Sequence, residues 1–193
     1  LSTDQGSLSG SNRGQWYNGL TKPSYLSLGA ATNGTGKPEL AFFNGRISQI
    51  LVFNRVLTSA EVKLTPEKLK DLKGLRFWLD ASDLDGDPNT ANPQVGSVVT
   101  TWKDKKSGLL LKQDDAKLQA QLTTLPGTDQ PAVQFDDDFL VGNSATAPFL
   151  VDAEGSIVTV FSSQDDDESY IFEVGGNKQF VTTFVNPVAG GAA

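Results

Sequence analysis

The 193-residue chain contains no cysteine, no histidine and no methionine. Without cysteine there are no disulfides, no thiolate nucleophile and no cysteine-based zinc site. Without histidine, Ser-His-Asp and Cys-His triads, the His-Glu-x-x-His metalloprotease helix and imidazole acid–base chemistry near neutral pH are all excluded. Any enzyme built on this chain is restricted to carboxylates, Lys or Tyr. The missing methionine, absent at the first position too, leads us to expect a processed product or an excised piece. No apolar run approaches the ~18 residues of a membrane span, and no signal-peptide pattern occurs, so membrane insertion is not expected. Positive charge is also scarce: 16 Lys and Arg stand against 23 Asp and Glu, giving a net charge of −7 and a pI near 4.5. Nucleic acid, whose phosphates need clustered cations, is not an expected partner. An acidic surface suits solubility and divalent cations.

What is present points to an all-β chain. Hydrophobic residues at 38% and charged residues at 20% support a globular core, and the length suits about one domain or two small ones. Residues 1–14 are Ser/Gly-rich and read as a loop. Gln15-Trp16-Tyr17 precedes Asn18-Gly19, a hairpin turn signal. Tyr25 to Leu28 alternates as a half-buried strand does. A glycine-rich loop covers 29–38; its Asn33-Gly34-Thr35 fits a glycosylation acceptor but reads as a turn. Leu40 and Phe42 open the next strand, and Asn44-Gly45 turns into an apolar run from Ile47 to Phe53. Leu75, Phe77 and Leu79 share a face opposite Arg76 and Trp78. Segments at 98–102, 118–123, 133–135, 157–161, 170–174 and 180–185 follow. About ten short strands separated by Gly, Pro, Asn and Asp predict an antiparallel β-sandwich or jelly roll.

One stretch breaks the β pattern. Thr58 and Glu61 fit a capping box, in which hydroxyl and carboxylate serve the first free N–H groups of a helix. Thr65-Pro66-Glu67 supplies an N-cap, a first-position proline and a first-turn acid. Lys70, Lys73 and then Gly74 complete a stop signal. The spacing predicts a short helical connector over 58–73.

Three segments, "LKGLRFWLDASDLDGD", "VVTTWKDKKSG" and "PAVQFDDDFL", resemble the opening of laminin-G-like, concanavalin-A-type jelly-roll modules of bacterial surface proteins. The earlier "WYNG", "LSLGA" and "FFNGRISQILVFNRVLTSAEV" resemble the closing part of the same module. The resemblance covers about residues 15–62 and 72–161. One departure is Asp137, where a glycine is usual, so that turn is expected to differ. The resemblance implies an extracellular, non-catalytic module for adhesion or glycan binding.

The order is inverted. Residues 1–63 read as the C-terminal half of a module, 64–74 as a helical linker and 75–193 as the N-terminal half. Either the chain is a window on tandem repeats, or its halves complete one sandwich within a chain or between chains. An unmatched half exposes an apolar face and unpaired sheet edges, and completion between molecules is head-to-tail, which propagates into fibres unless it closes. Copies of itself or neighbouring repeats are therefore the expected partners.

Among candidate sites, the loop "DASDLDGDPNT" (80–90) places oxygen ligands at Asp83, Asp85, Asp87 and Asn89, with Gly86 for a tight turn. Such alternation wraps Ca2+, which takes six to eight oxygens at roughly 2.3–2.6 Å. The spacing is not that of an EF-hand, and the other reading is an Asp-rich turn bonding its own backbone. The clusters at 136–138 and 165–168 read as solvated loops. Trp16 and Tyr17 point to opposite faces of a strand, so one ring is a candidate sugar platform, whereas Trp78 and Trp102 read as core or inter-sheet packing. Paired catalytic acids stand ~5–10 Å apart across a cleft; Glu168 and Glu173 are wrongly spaced for one strand face, so no enzyme is expected. The expectations in order are a structural or adhesive surface module or filament subunit, a calcium-assisted carbohydrate-binding module, and, least favoured, a jelly-roll glycoside hydrolase.

Overall fold

The computed structural model describes residues 25–32, 41–143, 154–164, 168–176 and 179–185. Trp16, Tyr17, the two early Asn-Gly signals at 18–19 and 33–34, Leu40, Asp165 to Asp167 and the C-terminal tail lie outside the described residues. The remainder forms an antiparallel β-sandwich. One sheet has six strands in the order β11 (Gln179–Val185), β10 (Ser169–Gly176), β1 (Tyr25–Leu28), β8 (Leu140–Gly142), β5 (Leu110–Lys112) and β4 (Thr101–Lys103). The other is organised around β2 (Gly45–Phe53). Strand β9 (Ser156–Ser163) runs along one edge of β2. Along the other edge, β7 (Pro131–Phe135) pairs with Gly45 to Ile47 and β3 (Leu75–Asp80) pairs with Gln49 to Phe53. Strand β6 (Gln121–Thr124) lies beyond β7.

Ser48 stitches the junction between β7 and β3. Its hydroxyl donates to Pro131 O at 2.7 Å and accepts from Gln130 Nε2 at 2.9 Å, while its carbonyl accepts from Ala81 N at 2.9 Å. Alternation then fills the space between the sheets. Leu26, Leu28, Trp102, Leu111, Phe172 and Val174 from the first sheet meet Ile47, Ile50, Val52, Phe77, Leu79, Val133 and Phe135 from the second. Trp102 is fully buried, as the sequence predicts, and its Nε1 donates to Asp80 O at 3.2 Å.

A second, smaller core lies on the outer face of the β2 sheet. Leu51 and Phe53 are covered by Leu57, Leu69 and Leu75, with Leu64, Leu72, Trp78 and Val158 at the rim. Two expectations change here. Leu75 does not share the face of Phe77 and Leu79, because a register shift between Val52 and Phe53 sets it opposite Phe53. Trp78 is not inter-sheet packing either: it is half-buried on the outer face beneath the connector.

The connector is less helical than its sequence signals. The capping box forms, with Thr58 N donating to Glu61 Oε2 at 2.9 Å and Glu61 N to Thr58 Oγ1 at 3.3 Å. It closes a single turn, and the only helix among the described residues is α1 (Pro66–Leu69). Side-chain anchoring overrides propagation: Arg55 forks onto Glu61 at 2.7 and 2.9 Å and donates to Lys73 O, tying both ends of the segment together. Gly74, at φ +90°, then turns the chain into β3; a side chain there would meet Asn54 Oδ1.

The turn expected at Asn44-Gly45 does not form. Phe42 and Asn44 precede the strand without strand pairing, and Gly45 already belongs to β2. A Cβ on Gly45 would meet Ser162 O and the Phe43 ring, so glycine there permits close approach to β9. Asp137 takes φ +57°, the left-handed region in which glycine is easiest and Asp is tolerated. Beside it Asp138 has its carboxyl pushed above the ordinary value, first by burial and then by the charges of Asp136 and Asp137.

Candidate functional site

The two motifs "WLDASD" and "WKDKKSG" meet in space. Asp104, in the turn after β4, is fully buried. Its Oδ1 accepts from Trp78 N at 2.7 Å and Lys106 N at 3.1 Å, and its Oδ2 from Ser107 N at 2.7 Å and the Ser107 hydroxyl. Lys105 N donates to Trp78 O at 2.9 Å. The turn thus satisfies the outer edge of β3 and blunts it against further strand pairing.

Lys105 folds back over this edge. Its ammonium lies 4.4 Å from the Trp78 ring centroid, 2.6 Å from Asp83 Oδ2 and 3.6 Å from Asp80 Oδ2. All three charged side chains are at most 17% exposed. The Asp83 contact is close but off the angles a hydrogen bond needs, so it is an ionic contact. Asp80 Oδ1 is occupied by Ser82 N and the Ser82 hydroxyl.

The oxygen ligands expected from the 80–90 loop are used locally. Asp83 faces Lys105. Asp85 Oδ1 accepts from Asp87 N at 3.0 Å, and Asp87 Oδ1 accepts from Asn89 N and Nδ2, both at 2.9 Å. Those bonds, Asn89 N foremost, hold the Asp87 carboxyl below its ordinary value. The loop is a run of side-chain-to-backbone turns. Among the described residues no group of three or more acidic side chains is placed to share a metal ion; Asp85 and Asp87 each engage one carboxylate oxygen with backbone N–H, and Asp83 faces Lys105.

A cleft of about 290 Å³ opens beside the Lys105 cluster. Its floor is the outer face of the sheet, with Gln49 on β2 and Trp78 and Asp80 on β3. Ser82 and Lys105 form one wall, and Glu67 and Lys70 of the connector form the other. Gln49 is only 8% exposed, and its Oε1, like Trp78 Nε1, is buried with no hydrogen-bond partner. The sequence reading missed Gln49 and Lys105. Gln49 carried a signal, since it is the polar interruption in the apolar run "ISQILVF".

The strand order offers a second functional feature. Strands β1 and β2 precede the connector, yet β1 lies between β10 and β8, and β2 lies between β9 and the β3–β7 pair. Residues 25–53 therefore hold both sheets together. No helix among the described residues is long and apolar enough to cross a membrane. Comparison with protein-family models, curated proteins and solved structures gives no match.

Proposed function

We propose that this chain is a non-catalytic structural and adhesive module of a bacterial surface protein or filament, of the laminin-G-like jelly-roll kind. Its working principle is strand donation. The single observation that carries this reading is the interior position of β1 and β2 in the two sheets. Leu26, Leu28, Ile47, Ile50, Leu51, Val52 and Phe53 are fully buried. At about 1.5–3 kcal/mol each, these seven side chains contribute on the order of 10–20 kcal/mol. That equals or exceeds the ~5–15 kcal/mol net stability of a typical domain. Residues 75–185 thus need a donor segment, their own or a neighbour's.

The connector supports exchange. Strands β2 and β3 are antiparallel neighbours that a hairpin of about two to five residues can join, yet residues 54–74 separate them. Such length lets the same strands seat in an adjacent copy, and head-to-tail seating builds an open chain of subunits. Extracellular residence accompanies this reading.

The test uses the absence of native cysteine. Arg46 and Ser162 are cross-strand partners in β2 and β9, at a spacing a disulfide spans. One full-length chain carrying Arg46→Cys and another carrying Ser162→Cys are refolded together at high concentration and oxidised. Strand donation predicts a disulfide-linked heterodimer that exceeds either homodimer and joins these two positions. Monomers alone, or crosslinks no more frequent than between like chains, contradict it.

A further inference from the structure

Lys105, Asp83 and Asp80 form a cluster that is incompletely satisfied as a set of ions. The Lys105 ammonium lies 2.6 Å from Asp83 Oδ2 and 3.6 Å from Asp80 Oδ2, and the three side chains are 17%, 10% and 8% exposed. The Trp78 ring, with its centroid 4.4 Å from Nζ, covers the ammonium on one side. A buried ion pair offsets its desolvation only where further hydrogen bonds complete it. Here both carboxylate oxygens of Asp83 are buried without a hydrogen-bond partner. Asp80 differs, because its Oδ1 accepts from Ser82 N and the Ser82 hydroxyl.

The backbone holds the Lys105 and Asp83 side chains against each other. Lys105 N donates to Trp78 O at 2.9 Å, and the buried Asp104 carboxylate fixes the turn that carries Lys105. Asp83 N donates to Asp80 O at 3.0 Å, and Lys103 N donates to Leu84 O at 2.8 Å, so the loop after β3 is tied to the end of β4. Fixed contact of this kind converts a slow reaction between two groups into a favourable intramolecular one. The shortage of water around the cluster works in the same direction for any reaction that expels water.

We propose that Lys105 and Asp83 condense into an intramolecular amide bond, with Asp80 as the proton carrier. Within the pair one proton passes from Nζ to an Asp83 carboxylate oxygen, leaving a neutral amine beside a neutral carboxyl group. The amine attacks Asp83 Cγ. Asp80 takes a second proton from the nitrogen and delivers it to the departing hydroxyl. The Nζ–Cγ bond forms, one Cγ–O bond breaks and one water leaves, so neither an oxidant nor a cofactor is required. The product removes both buried charges and ties the loop after β3 in one sheet to the turn after β4 in the other. In a chain without cysteine it supplies a covalent staple that no disulfide can. Both residues follow the connector, so the inference stands independently of strand donation.

The test is the intact mass of the full-length protein, followed by proteolysis and fragment sequencing by mass spectrometry. The expected result is a mass one water below that of the sequence, with a branched peptide joining Lys105 Nζ to Asp83. Lys105→Arg keeps a cation beside Asp83 but offers no amine, and is expected to show the full sequence mass. Asp80→Asn retains an oxygen for the Ser82 bonds. With a circular dichroism spectrum like the parent's, it is expected to keep the full mass in most molecules. Cyclisation at Asp85-Gly86 also loses one water, but it gives a linear peptide and persists in Lys105→Arg. A parent protein that stays at the full sequence mass on prolonged incubation, or a water loss located anywhere else, overturns the inference. Complete cross-linking of folded Asp80→Asn overturns the role given to Asp80.

Discussion

The inter-sheet core and the outer core under the connector are both apolar, but they are built in different ways. The first draws on strands from every part of the described chain and is closed on both faces by sheets. The second has one sheet face as its floor and a single irregular segment, residues 57–72, as its lid. The lid is anchored at its ends by Arg55, Glu61 and Lys73 O rather than by a continuous helix. The difference teaches where cooperativity resides. Loss of the lid leaves the strand ladder intact, whereas loss of an inter-sheet side chain affects both sheets together.

The strongest way to break the comparison is Phe77→Ala. Phe77 is fully buried and packs on Phe172 with ring centroids 5.9 Å apart. We expect a loss of about 3–5 kcal/mol in urea-induced unfolding, with all structural probes moving together. Asp104→Ala follows, at about 2–4 kcal/mol, because it leaves Trp78 N, Lys106 N and Ser107 N without their acceptor. Equal stability of the alanine variant and the parent would show that the turn after β4 does not hold the edge of β3.

Leu69→Ala sharpens the comparison from the other side. Leu69 is 1% exposed, so its truncation costs about 2 kcal/mol. The expected readout is faster amide exchange confined to residues 57–72, with β2 and β3 still protected; uniform acceleration across both cores contradicts the distinction. The smallest effect is a pH response. The Arg55 fork, helped by Thr58 N, lowers the Glu61 carboxyl from its ordinary 4.5 to about 2. Its contribution is therefore complete above pH 4.5 and is lost as pH falls toward 2. Amide exchange in the connector should rise over that window in the parent and much less in Glu61→Gln.

Much of this was legible in the residues, but unevenly. Alternation located β1 and β3, although β1 is buried at all four positions rather than on one face, and turn residues marked the breaks between strands, because both are local properties of the chain. The capping box was legible as a set of bonds but not as a helix, since the Arg55 anchor competes with propagation and is set by tertiary position. The face of Leu75 was not legible because it depends on a register shift in the partner strand β2. Nor was the cleft: Gln49, Trp78 and Lys105 lie in three separate segments, and only the pairing of β2 with β3 and the return of the turn after β4 bring them together. The 80–90 acids were legible as turn formers, and their bonds to their own backbone follow from that.

The central claim is that residues preceding the connector complete the sandwich made by those that follow it. The most direct measurement is oxidation of one full-length chain carrying both Arg46→Cys and Ser162→Cys, at low protein concentration, followed by intact mass and urea unfolding. The account predicts, at low concentration, a monomer with an internal disulfide joining β2 to β9 and a higher urea midpoint than its reduced form. When the same chain is refolded at high concentration before oxidation, it predicts covalent oligomers joined through these two positions. A monomer that keeps both thiols reduced under oxidising conditions, or a disulfide that lowers the midpoint, would contradict it.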